Sequence, residues 1–188
     1  MSKSYNSRAT ALIVTDMQRE FDASETPEVI AACIREIKRA KKRKALILLV
    51  EYASRYYSDN GMSDTQDEIL DVLEGYPHCI TVSKKIDDGS AQIMKVLKRV
   101  GIPKRFKVCG VNTDCCVRST VNGLTAKLPE GTQITLIADA CNSSCSPFDE
   151  QYDEYQFGKY RNCVLKLSNI PMDTEPYDGY EDGWYDED

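Results

Sequence analysis

The stretch ALIVTDMQREFDASETPEVIAACIREIKRAKKRKALILLV, residues 11–50, carries the reading on which the fold turns. Ala11–Thr15 is a short apolar run rich in β-branched residues and predicts a first strand. Ala45–Val50 is apolar at every position, the signature of a strand buried on both faces. Between them, Thr26-Pro27-Glu28 offers an N-cap, a proline at the first helical position and an acid in the first turn. The helix so begun runs towards Lys41–Lys44, where cations suit a helix C-terminus. Strand, helix and strand at this spacing form a parallel βαβ unit, whose crossover is right-handed.

Working outward, the same alternation continues. Tyr52–Met62 is polar, aromatic and glycine-punctuated, and reads as a loop. Ser63–Leu73 predicts a helix with Ile69, Leu70 and Leu73 on one face, and Cys79–Val82 a third strand. Gly89–Val100 predicts a helix with Ile93, Leu97 and Val100 inward, followed by a fourth strand at Arg105–Cys109. Asp114–Lys127 reads as helix, Gln133–Ile137 as a fifth strand, Asp149–Tyr160 as helix and Cys163–Leu167 as a sixth strand. The fold class is α/β: a three-layer α/β/α sandwich around a six-stranded, mostly parallel sheet.

Composition supports one folded domain. With 188 residues, 41% hydrophobic and 29% charged, the chain can bury a core and is neither disordered nor fibrous. The net charge of −6 is unevenly placed. Met172–Asp188 holds eight acidic residues and no basic one, which leaves 24 basic against 22 acidic residues in 1–171. The expected division is therefore a domain over 1–171 and an acidic, aromatic tail over 172–188 that is mobile and solvated. A nearly neutral body argues against a nucleic-acid-binding face, and no apolar run approaches the ~20 residues of a membrane span. Met1–Arg8 lacks the apolar core of a secretory signal, so the expected compartment is the cytoplasm. The eight cysteines then read as reduced thiols, several in apolar strands (Cys79, Cys109, Cys163).

In an open parallel sheet, chemistry gathers at the carboxyl ends of the strands. There is no GxGxxG, no GxxxxGK[ST] and no GxSxG, which sets aside dinucleotide, phosphoryl-transfer and serine-hydrolase sites. One histidine, His78, cannot serve both a metal site and acid–base work, and Cys141-x3-Cys145 has no second pair for zinc. Three strand ends carry reactive groups: Asp16 after the first, Ser83-Lys84-Lys85 after the third, and Gly110-Val-Asn-Thr-Asp-Cys-Cys116 after the fourth. Gly110 permits an unusual backbone or a close approach, and Thr113 or Asp114 can cap the next helix. Cys115 and Cys116 then fall in its first turn, where free N–H groups favour a thiolate and an oxyanion. A carboxylate that takes the thiol proton and a lysine that holds the charges suffice for acyl transfer without histidine. Each residue alone has an ordinary role as a turn, a solvated strand exit or a structural thiol. The conjunction singles them out.

Asp16-Met-Gln18-Arg-Glu-Phe21 resembles the D-x-Q-x-x-F opening of the isochorismatase-like cysteine hydrolases. Gly110-Val-Asn-Thr-Asp-Cys-Cys116-Val resembles their G-V-x-T-D-x-C-V segment, and Asp139-Ala140 the D-A pair after their fifth strand. The resemblance implies their Rossmann-like six-stranded fold and an Asp–Lys–Cys triad. By motif position the nucleophile is Cys116 and the base Asp16. The lysine is Lys84, nearer the strand end, with Lys85 left open by the doublet. The resemblance further implies a cis peptide at Val111–Asn112 that aims the Asn112 N–H, with that of Cys116, at the oxyanion, and it implies that Phe21 lines the substrate pocket.

Departures sharpen the expectation. Nicotinamidase members carry an Asp-x-His and another His that hold a metal; Val50–Tyr57 has no histidine, so neither metal nor other cofactor is expected. Members acting on isochorismate usually lack the cysteine, which puts Cys116 on the amide-hydrolysing side. The expected activity is hydrolysis of a C–N bond in a small carboxamide or ureido compound through a thioester. Two alternatives stand beside it: isochorismatase-type ether hydrolysis by Asp16 and Lys84, and a binding or regulatory member without turnover. The expected partner is the small amide substrate, with no nucleic acid and no membrane, and the resemblance implies a homo-oligomer.

Overall fold

Ala11–Thr15 forms β1, buried along its whole length between two neighbouring strands. The computed structural model describes residues 5, 10–53, 64–146, 148–152 and 163–168. Most of the expected loop at Tyr52–Met62, most of the expected helix at Asp149–Tyr160, and the tail at 172–188 lie outside them. The other strands are β2 (Ile47–Tyr52), β3 (Cys79–Lys84), β4 (Arg105–Val111), β5 (Thr132–Asn142) and β6 (Cys163–Ser168). They make one six-stranded sheet in the order β3-β2-β1-β4-β5-β6, parallel at every pairing. The helices are α1 (Pro27–Lys42), α2 (Asp67–Leu73), α3 (Ser90–Val100), α4 (Arg118–Lys127) and the short α5 (Phe148–Gln151). α1 packs beside α2 and α3 beside α4. Right-handed crossovers put these pairs on opposite faces of the sheet, giving the three layers. Among the described residues, no helix is long and apolar enough to cross a membrane.

The core is the pair of sheet faces with the helix stripes laid on them. Ile13, Ile47, Leu48, Phe106, Val108, Ile134 and Leu136 are fully buried, and Ile37, Ile69, Ile93 and Leu97 meet them from the helices. Two expected inward residues turn outward. Leu70 lies one position, about 100°, around the helix from Ile69, and Val100 ends α3 beyond the sheet; both are exposed. Thr26 and Pro27 do start α1, but the Thr26 hydroxyl accepts from Asn142 Nδ2 (3.0 Å) instead of capping the helix. Cys33, Cys109 and Cys141 are buried free thiols, whereas Cys79 is only half-buried. Cys141 lies in β5 and Cys145 in the loop after it, so the two are not on one helix turn.

Several strands run further than their apolar cores, and this matters for the site. β3 continues to Lys84, β4 to Val111 and β5 to Asn142. Asp139 and Ala140 therefore lie inside β5, where Asp139 pairs with Arg35 (2.6 Å), not after it. The β4–β5 register jumps from Val108↔Leu136 to Gly110↔Cys141. Such an irregularity bends a strand end and re-aims the residues beyond it.

Candidate active site

Asp16 is the first residue past β1, and it is fully buried. Its φ of 51° lies in the left-handed region, which aspartate tolerates better than most residues. Thr15 pairs with Gly110 of β4, and a β-carbon at Gly110 would stand 1.9 Å from the Thr15 carbonyl oxygen. Gly110 itself has φ 119°. Only glycine meets both demands, so the two strand ends carrying Asp16 and the cysteine segment close on each other there. This is also where the strand order reverses direction from β1, the place at which open α/β sheets form crevices.

Lys84 comes from two strands away. Adjacent strands are ~4.8 Å apart, so its side chain must cross the end of β2 to reach β1. It does so buried, with Nζ 2.8 Å from Asp16 Oδ2 and 4.6 Å from the centre of the Tyr52 ring. The ammonium also donates to the Ile86 carbonyl (3.2 Å). The lysine doublet is resolved by strand alternation. Val82 and Lys84 face inward, whereas Thr81, Ser83 and Lys85 are exposed.

The cysteine segment differs from the expected helix start. Thr113–Val117 forms one π-type turn, and α4 begins only at Arg118. The Asn112 carbonyl accepts from the N–H groups of Cys115 (3.2 Å) and Val117 (3.0 Å), on either side of that of Cys116. Single π turns recur at functional sites because they shift the register of a helix locally. Neither Thr113 nor Asp114 caps the turn. The Asp114 carboxylate instead accepts from the Ser143 and Ser146 hydroxyls, and Asn112 Oδ1 accepts from the Ser144 N–H (3.2 Å). These bonds strap the loop after β5 onto the turn. The Val111–Asn112 peptide is cis, as the motif resemblance implies.

Cys116 is buried, its thiol donating to Asp87 Oδ1 (3.7 Å), and the charges of Asp16 and Lys84 both act on it. The expectation of a resting thiolate needs correction. Burial, and then the Asp16 charge, push the thiol well above its ordinary value, and Lys84 offsets only part of this. Asp16 is raised to about 6, first by burial, with Lys84 pulling it back. Lys84 is raised because Asp16 and Cys116 outweigh its burial. At neutral pH the three groups rest as carboxylate, ammonium and neutral thiol.

Phe21 stands at the edge of this cluster, edge-to-face with Tyr52 at 6.4 Å between centroids. Sequence reasoning passed over four contributors. Gln18 is buried and clamps the Tyr52 backbone, accepting from its N–H (2.6 Å) and donating to its carbonyl (3.2 Å). Tyr52 roofs the lysine. Asp87 Oδ1 lies 3.7 Å from Cys116 Sγ, and Thr120 ties the Asp87 loop to α4. Gln18 was visible as the third residue of a motif; the others sit at no spacing that marks them. His78 precedes β3, at the opposite end of that strand from Lys84, and packs on Tyr76. It takes no part in the site.

At the carboxyl edge of the parallel sheet, a buried carboxylate–ammonium pair thus lies on the same edge as a buried thiol. Residues 10–169 match the family model of the isochorismatase domain, and the chain belongs to that family. Among solved structures it is similar to the nicotinamidase of Staphylococcus aureus (16% identity, TM-score 0.66, covering 86% of this chain and 98% of that one). It is likewise similar to N-carbamoylsarcosine amidase of Thermoplasma acidophilum (19%, 0.65, 86% and 98%) and to the MAR1 ribonuclease of Caenorhabditis elegans (20%, 0.66, 87% and 80%). At these identities the likeness is one of fold. No curated protein matches the chain significantly in sequence.

Proposed function

We propose that the protein is a cysteine hydrolase that cleaves the C–N bond of a small carboxamide or ureido substrate through a thioester. The observation that carries this reading is a buried Asp16–Lys84 pair (2.8 Å) whose charges both act on the buried Cys116 thiol. A nicotinamidase and an N-carbamoylsarcosine amidase among the structural relatives agree with it.

Asp16, ionised beside Lys84, takes the Cys116 proton as Sγ attacks the carbonyl carbon. A carboxylate raised to about 6 is a better base than an ordinary one. Because the thiol is held neutral at rest, transfer accompanies attack and does not precede it. The new S–C bond forms, and the carbonyl electrons move to oxygen, where the N–H groups of Asn112 and Cys116 receive them. Collapse expels the amine, which takes the proton back from Asp16. Water then gives a proton to Asp16 as it attacks the thioester, and Cys116 leaves as a thiol. Lys84 keeps Asp16 charged, and Phe21 and Tyr52 form the apolar wall against which the substrate lies.

The test is intact-mass trapping of the full chain against a library of small amides. A mass increase on the wild type, lost in Cys116→Ala and kept in Cys115→Ala, is the expected result. An adduct that survives Cys116→Ala sinks the assignment. One observation favours a second reading: burial raises Asp16 to about 6, so its protonated fraction near that pH can act as the acid in ether hydrolysis. Turnover of a vinyl ether that survives alkylation of Cys116 would select that alternative.

A further inference from the structure

Asp87, Cys115 and Cys116 present three ligand atoms that all lie within 4.8 Å of one another. They come from two separate segments, the loop after β3 and the π turn after β4. Their meeting is built, not local. The buried Thr120 hydroxyl accepts from the Gly89 N–H (3.0 Å) and donates to the Asp87 carbonyl (3.2 Å), pinning the loop to α4 beside the cysteines.

The dimensions suit one kind of ion. Tetrahedral zinc, with Zn–S near 2.3 Å and Zn–O near 2.0–2.2 Å, sets sulfur and oxygen about 3.6 Å apart and two sulfurs about 3.8 Å apart. Cys116 Sγ and Asp87 Oδ1 are 3.7 Å apart before any ion enters. Two sulfurs and one carboxylate fit a thiophilic d10 cation and do not fit magnesium or calcium, which prefer all-oxygen shells. Asp16 balances Lys84 nearby, so an entering dication does not meet an uncompensated positive charge.

The geometry points to a site in which Asp87, Cys115 and Cys116 bind a zinc-class divalent cation that captures the Cys116 sulfur and silences the enzyme. Binding forms two metal–sulfur bonds and one metal–oxygen bond, releases both thiol protons to solvent, and leaves a fourth position for water. The site stands on these distances alone. Its silencing effect rests on the role of Cys116 proposed above.

The test titrates the metal-free full chain with cadmium, whose thiolate charge-transfer absorbance counts Cd–S bonds, and then displaces cadmium with zinc. One tight equivalent with a two-thiolate band is expected. Cys115→Ser should halve the band and Asp87→Asn should keep it, and each should weaken binding by about tenfold or more. Cys145→Ser, which removes the exposed thiol outside the cluster, should change neither. Zinc should protect Cys116 from iodoacetamide. The proposal is overturned if Cys115→Ser and Asp87→Asn both titrate like the wild type, or if Cys145→Ser abolishes the band. Tight two-thiolate binding in a protein that never forms an acyl adduct would leave this site standing and remove the hydrolase reading. An acyl adduct without cadmium binding would do the reverse.

Discussion

Lys84 and Asp16 carry opposite charges where neither side chain reaches water. Desolvation penalises both, and each is kept ionised by the other, so the pair behaves as one unit with Cys116 as its third member. Asp16 has to be charged to accept the thiol proton, so acylation should fall as pH drops through about 6. Lys84→Met removes the main influence that lowers Asp16. It should move that limb upward by about 1–3 pH units and destabilise the fold by about 3–5 kcal/mol. A pH profile of acylation rate and a urea titration check the two parts. The linkage to stability has the opposite sense from that of an ordinary paired carboxylate. A raised folded-state value costs stability above the ordinary carboxylate range, and the cost fades as pH falls through about 6. Asp16→Asn should flatten this part of the stability–pH curve. The lysine shows how legibility depends on alternation. Lys84 shares a face with Val82, so once β3 is extended past its apolar core the choice over Lys85 follows from period two.

Gly110 shows how one backbone position assembles two strand ends. A methyl group there would overlap the Thr15 carbonyl in a conformation with φ 119°. Gly110→Ala should therefore destabilise by roughly 3 kcal/mol or more and abolish acylation of Cys116. Denaturation and intact mass report these separately, and a variant with native stability would refute the argument. Within elements, β1 and α1 were readable almost to the residue, because an apolar β-branched run and a proline-started, cation-ended helix are local signals. The strand extensions were not. Residues past the apolar core of β3, β4 and β5 remain in the sheet because a neighbouring strand supplies their hydrogen-bond partners, which local composition does not record. The π turn escaped for a similar reason. Its register comes from Asn112 receiving two N–H groups, while the propensities of Thr113–Val117 say only that a helix is near.

For the whole molecule, the core and the site meet at the sheet's carboxyl edge but are separable. Phe106 is fully buried in β4, at the end of the strand away from the cysteines. Phe106→Ala should cost about 3–5 kcal/mol of stability, visible in urea denaturation. In the fraction that stays folded, it should leave the pH limb of acylation near its wild-type position. A shifted limb would mean that the site senses core packing and that the two are not separable.

Local chemistry along the chain determined the parallel α/β architecture and the three strand ends that bear reactive groups, for which apolar periodicity, helix-end signals and chain order suffice. The choice of Asp16, Lys84 and Cys116 among those groups came from the motif resemblance. The tertiary structure alone decided that Lys84 crosses beneath Tyr52, that Asp87 stands beside the nucleophile, and that the Cys116 thiol rests neutral. The physical reason is that burial and the Asp16 field act through space. A turn that favours a thiolate when read alone is overruled by a carboxylate arriving from another strand.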